Sequence, residues 1–235
     1  MYCQNCAQSI AADASSCASC GFATSSDAAT RSPAGEIGEK AAQQAREAVG
    51  SAWKSFRTLV VNPVGGLRPS FENLSPVQVL QAGIVFSLAF AVCFAVGARQ
   101  VLGGSLLWIG GGESWLGLAF KLTFVGLVLV LSVIGAEFLA RKVFRGTGSI
   151  EGDLFVSAIS LLPFGLLSLL AGLLGIGNAE IIVVLGVIAW CFTVLLLHGG
   201  CREISNIREP GASLAVPLIL LVSGWLTQVI LKALM

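Results

Sequence analysis

Five long apolar runs leave this chain very few ways to fold. They lie at about Val77–Ala98, Trp115–Ala140, Gly152–Leu174, Ile181–Gly200 and Ser213–Leu234. A helix needs about 20 such residues to cross the hydrocarbon of a bilayer. Inside lipid the backbone must satisfy its own hydrogen bonds, so each run reads as a helix. A membrane β-barrel would alternate apolar and polar residues along short strands, and these runs do not alternate. Buried core helices of a soluble protein are the alternative. Composition disfavours it: 11% of the 235 residues are charged, against about 25% in an ordinary soluble domain. The expected fold is an all-α, polytopic membrane protein with five transmembrane helices. The segment Val101–Gly112, with Trp108 between glycine clusters, is too short to span and reads as a connecting loop.

Loop charge gives an orientation. The segment before the first run carries Arg31, Lys40, Arg46, Lys54, Arg57 and Arg68, the second connection Arg141, Lys142 and Arg145, and the fourth Arg202 and Arg208. The opposite side has Arg99 and Lys232. Basic residues collect on the cytoplasmic side, so the N-terminus is expected in the cytoplasm and the C-terminus outside. In a bacterium the membrane would be the inner one. No signal peptide is read at the start, where Met1 is followed by Tyr2, Cys3 and Gln4. The net charge of +1 offers no basic face for nucleic acid.

Four of the seven cysteines fall in the first 20 residues, as Cys3, Cys6, Cys17 and Cys20. Two C-x2-C turns each aim two thiolates at one point, and together they supply a tetrahedral zinc site. Gly21 follows the second pair, whereas Ala7 follows the first. A disulfide pair or redox dithiol is the alternative, disfavoured where thiols stay reduced. Four sulfurs leave no open position, so the zinc is expected to be structural. A head of residues 1–22 is too small to fold on its own core, and metal would supply the missing free energy.

Residues 23–35 are rich in Ala, Ser and Thr and read as a flexible linker. From 36 to 61 the pattern is that of an amphipathic helix. Its apolar arc holds Ile37, Ala41, Ala45, Ala48, Val49, Ala52, Trp53, Phe56 and Leu59, and the other arc holds Glu36, Lys40, Arg46, Lys54 and Arg57. Trp53 and Phe56 flanked by Lys54 and Arg57 suit a helix lying on the membrane surface. Packing on the bundle or on a partner is the alternative. Residues 62–235 form the membrane domain.

Ionisable residues within the runs are few. Lys121 can snorkel outward. Glu137 and Arg141 are spaced i,i+4 and read as a pair. Glu151, Asp153 and Glu180 stand at helix N-termini, where the dipole favours acids. His198 reads as a surface or packing residue, and Cys93 and Cys191 as packing residues. Pro163 and Pro217 interrupt the third and fifth runs. No convergent acid–base set emerges, so no catalytic residue is assigned.

The region from about Val60 onward resembles the Yip (Ypt-interacting protein) family of five-span membrane proteins. The resemblance is carried by Val60, Val61, Asn62 and Pro63 before the first run, by Phe144 to Ser149 in a basic connection, and by Leu162, Pro163, Phe164 and Gly165 within the third. Bacterial members often carry a zinc ribbon in front. The resemblance implies five spans and a cytoplasmic N-terminus. Eukaryotic members bind Rab-type GTPases, but their Asp-Leu-Tyr-Gly-Pro motif is absent, and Arg68 to Asn73 stand in the corresponding loop. The functional expectation is a non-enzymatic membrane scaffold or adaptor whose zinc head meets a protein partner, with homo-oligomers allowed for. A transporter or channel component is the alternative.

Overall fold

A computed structural model describes residues 6, 8, 9, 19, 20, 33–62, 65–102 and 115–234. Seven helices form among these residues: α1 Pro33–Val61, α2 Leu67–Glu72, α3 Pro76–Leu102, α4 Trp115–Val143, α5 Ile150–Leu173, α6 Ala179–Glu203 and α7 Glu209–Leu234. Helices α3 to α7 are long and apolar enough to cross a membrane, as the five runs predict. The chain divides into two compact units, residues 1–47 and 48–235, and the boundary falls inside α1.

Helices α3, α5, α6 and α7 start earlier than their apolar runs, in the polar flanks, while α4 starts at Trp115 as expected. Ser149 accepts a hydrogen bond from the Gly152 amide and Asn178 from the Glu180 amide, each satisfying a donor that the first turn leaves open. Pro33 and Pro76 occupy first helical positions, where the missing N–H costs nothing. Helix α4 ends in a Schellman-type turn. The Gly146 amide reaches the Arg141 carbonyl at 2.8 Å and Arg145 takes the left-handed φ of 54°. Helix α5 ends the same way with Gly175 at φ 64°, the residue that this position favours.

The centre of the bundle is the α3–α5 pair, the most extensive helix contact. A side chain at Gly97 would overlap the backbone of Ser168, and one at Gly165 would meet Phe90 at 2.9 Å. Small residues allow such close approach, which in lipid substitutes for the hydrophobic drive that water provides. A ladder of rings fills the seam. Phe86 and Phe155 lie 6.0 Å apart between centroids, Phe90 and Phe94 5.8 Å, and Phe94 and Phe164 6.3 Å. Helix α4 joins α3 to α7, and α6 lies on α5 with Gly200 seated on Val156. Pro163 sits inside α5 and cannot donate to the preceding turn. The Thr193 hydroxyl of α6 reaches the Ser160 carbonyl in that turn at 2.8 Å, so a neighbouring helix satisfies a group beside the break.

Candidate functional site

The most polar part of the bundle lies where α4 passes into α5 and α6 into α7. Arg141, in the last turn of α4, points across to Asp153 in the first turn of α5. Its Nε donates to both carboxylate oxygens at 3.1 and 2.9 Å, and Nη2 donates to Oδ2 at 2.7 Å. Nη1 donates to the Gly148 carbonyl at 2.6 Å. Asp153 is fully buried and Arg141 nearly so. The Ser205 hydroxyl lies 3.5 Å from Asp153 Oδ1, and the Ser205 carbonyl accepts from the Thr147 amide at 3.1 Å. One carboxylate thus ties together α4, α5 and both short connections.

Glu137 lies one turn before Arg141 and is 4% exposed. The i,i+4 pairing expected from the sequence does not form. Arg141 is engaged by Asp153 and Gly148, and Glu137 instead accepts the Ser157 hydroxyl at 2.8 Å through Oε2. Its Oε1 is buried without a partner. The reason is geometric. Nη1 and Nη2 are committed in a planar fork to the loop and to α5, and α5 brings a serine rather than a cation against Glu137.

The other residues singled out from the sequence differ in exposure. Lys121 is exposed, His198 half-buried, Cys93 half-buried, Cys191 exposed and Cys201 buried. Among the described residues no group of three or more His, Cys, Asp or Glu is placed to hold a metal ion. Of the expected zinc ligands, Cys6 and Cys20 are exposed, and Cys3 and Cys17 lie outside the described residues.

The apolar arc of α1 is divided in the structure. Ala48, Ala52, Ser55 and Leu59 are buried, and Ala52 and Leu59 join the core of the bundle. Phe56 is half-buried against that core. Trp53 is 65% exposed, with its ring 5.8 Å from that of Phe56, and Lys54 and Arg57 are exposed. On this flank Val49, Ala52, Trp53 and Phe56 face Phe86, Ala89, Cys93 and Leu166 across a shallow apolar groove. One stripe of the arc, Ala48, Ala52, Ser55 and Leu59, therefore meets protein, while Trp53 stays at the rim. The Arg141–Asp153 tie and this division are the features that sequence reasoning missed. Asp153 in a helix N-terminal turn was the available signal for the first, and the three-to-four-residue spacing of that stripe for the second.

No family model matches the chain, and no curated protein or solved structure matches it.

Proposed function

We propose that the chain is a non-enzymatic membrane scaffold or adaptor. On this reading a Yip-type five-span bundle carries a cytoplasmic head in which Cys3, Cys6, Cys17 and Cys20 hold one structural zinc ion and present a surface to a protein partner. The observation that carries the reading is the use of charge inside the bundle. The buried ion pair fastens α4 to α5 through three hydrogen bonds, so its charges hold helices together instead of facing a path. A transporter would place binding groups near the midplane of broken helices, and a catalyst would bring a nucleophile to a base. The buried ion pair lies at the end of the bundle where α4 passes into α5, and Arg141 spends its donors on α5 and on the connecting loop. The Yip assignment rests on the motif residues quoted above and on five spans.

The test compares the intact protein with Cys17→Ser in native membranes. Purified wild type is expected to contain about one zinc per chain and the variant none. Proteins retained by wild type in a pull-down should be lost with the variant, while its membrane insertion is unchanged. A wild-type head free of metal, or identical sets of retained proteins for both, would overturn the adaptor reading.

A further inference from the structure

We propose a phosphate-binding pocket between α1 and the α2–α3 corner, centred on Lys54 and Ser70. The second half of α1 carries Ser51, Lys54, Ser55 and Thr58 on one side, opposite the groove that holds Trp53 and Phe56. Facing them across a cavity of about 370 Å³ are Ser70 at the end of α2, Asn73 in the turn, and Gln78 in the first turn of α3. The lining therefore offers the Lys54 ammonium, the Ser70 hydroxyl and the Gln78 amide, and no acid; the Thr58 hydroxyl and the Asn73 amide nitrogen already donate to the Lys54 and Pro69 carbonyls at 3.1 and 2.7 Å. The nearest carboxylate on α2, Glu72, already binds Arg68 at 2.7 Å in an exposed pair. Thr58 and Pro69 also line an adjoining, more open hollow with Arg57, again without an acid. Two cations thus stand one turn apart, with the Ser70 hydroxyl and the Gln78 amide across the cavity from Lys54.

Ser70 makes the pocket more than a polar crease. Its side chain is 5% exposed, and its hydroxyl has no hydrogen-bond partner. A buried hydroxyl left unmatched is unfavourable, and an acceptor-rich ligand in the cavity would relieve it. Height in the bundle narrows the chemistry. The apolar run of α3 begins at Pro76, so Asn73 and Gln78 straddle the level at which lipid phosphates lie. A phosphate has acceptor oxygens for Lys54 and for neutral donors together, and charge-assisted bonds of this kind are the stronger ones. A cationic ligand would be repelled by Lys54 and Arg57 and would find no carboxylate in the lining. The phosphate could be that of an anionic phospholipid or a free ion. This pocket uses residues 51–78 alone and stands whether or not the head binds zinc.

The experiment is thermal unfolding of the full-length protein in detergent, followed by its tryptophan emission. Phosphatidylglycerol, phosphatidylcholine with the same acyl chains, and inorganic phosphate are titrated separately. Phosphatidylglycerol should raise the melting temperature by several degrees, and phosphatidylcholine, whose phosphate is already neutralised by its own choline cation, should not. A shift with inorganic phosphate assigns the site to the free ion, and its absence assigns the site to the lipid headgroup; either supports a phosphate pocket. Lys54→Gln should weaken the phosphatidylglycerol response at least tenfold and Ser70→Ala severalfold. Lys54→Arg should keep most of it, and Lys142→Gln, a cation on α4, should leave it unchanged. Equal responses to the two lipids in wild type would overturn the proposal. So would a Ser70→Ala variant that melts higher without lipid yet answers phosphatidylglycerol as wild type does.

Discussion

Helices α5 and α6 are nearly equal in length and in apolarity, at 24 and 25 residues with mean hydropathy 2.2 and 2.6. Yet 56% of the apolar window of α5 is buried within the bundle, against 22% for α6. The more hydrophobic of the two is the more exposed. Hydropathy says that a helix belongs in lipid; it does not say which helix the others surround. What sets α5 apart is its small and polar content. Asp153, Ser157, Ser160 and Gly165 are buried on it, whereas α6 exposes Val183, Val184, Val187 and Trp190. In lipid the interior is marked by residues that pack closely or hydrogen-bond across helices, and the apolar residues face outward.

The sharpest way to break that contrast is to remove the charge partner from α5. Asp153→Ala leaves the Arg141 guanidinium buried opposite an alanine. Breaking one side of a buried pair costs about 3–5 kcal/mol. Unfolding of the purified variant should show a loss of that order. Replacing both partners by apolar residues, Arg141→Met with Asp153→Leu, should recover most of it. No recovery in the double variant would mean that the Gly148 contact carries the stabilisation. A smaller effect separates the glycines. Gly97→Leu forces α3 away from the Ser168 backbone, whereas a side chain at Gly186 of α6 meets nothing within 4 Å. Overpacking costs about 1–3 kcal/mol, so Gly97→Leu should destabilise by that amount and Gly186→Leu by far less. The smallest effect belongs to the outer face of α6. Val183 is 63% exposed, and Val183→Ala should change stability by less than about 0.5 kcal/mol. A larger loss, dependent on protein concentration, would show that a second copy covers this face.

The five spans were legible because length and apolarity are local properties. Their starts shifted by one or two residues where Ser149, Asn178 or Pro76 carried the helix into a polar flank. The charge partner of Arg141 was not legible. Glu137 and Asp153 are both acids within reach of it, and the choice depends on how the connection from Phe144 to Ser149 folds back. That turn in turn depends on Arg145 at a positive φ and on the distant Ser205 carbonyl, neither of which a helical wheel contains. The arc of α1 was legible as apolar but not as divided. A wheel separates apolar from polar, and lipid and protein are alike apolar. Which stripe meets the bundle, Ala48, Ala52 and Leu59 rather than Trp53, is decided by the helices that pack on it.

The tie between the two short connections bears on the order in which the protein is built. Arg141 and Asp153 are twelve residues apart, so the α4–α5 hairpin can bury its ion pair as soon as α5 has left the ribosome and entered the membrane. The Ser205 carbonyl, which holds the Thr147 and Gly148 amides, arrives about thirty residues beyond the end of α5. Until then those amides must be served by water at the membrane face. The hairpin is thus inserted as a self-neutralised unit that needs no later partner for its charge. Its connecting loop becomes fixed only when α6 has crossed, which makes the settling of that loop a marker for completed synthesis of the fourth span.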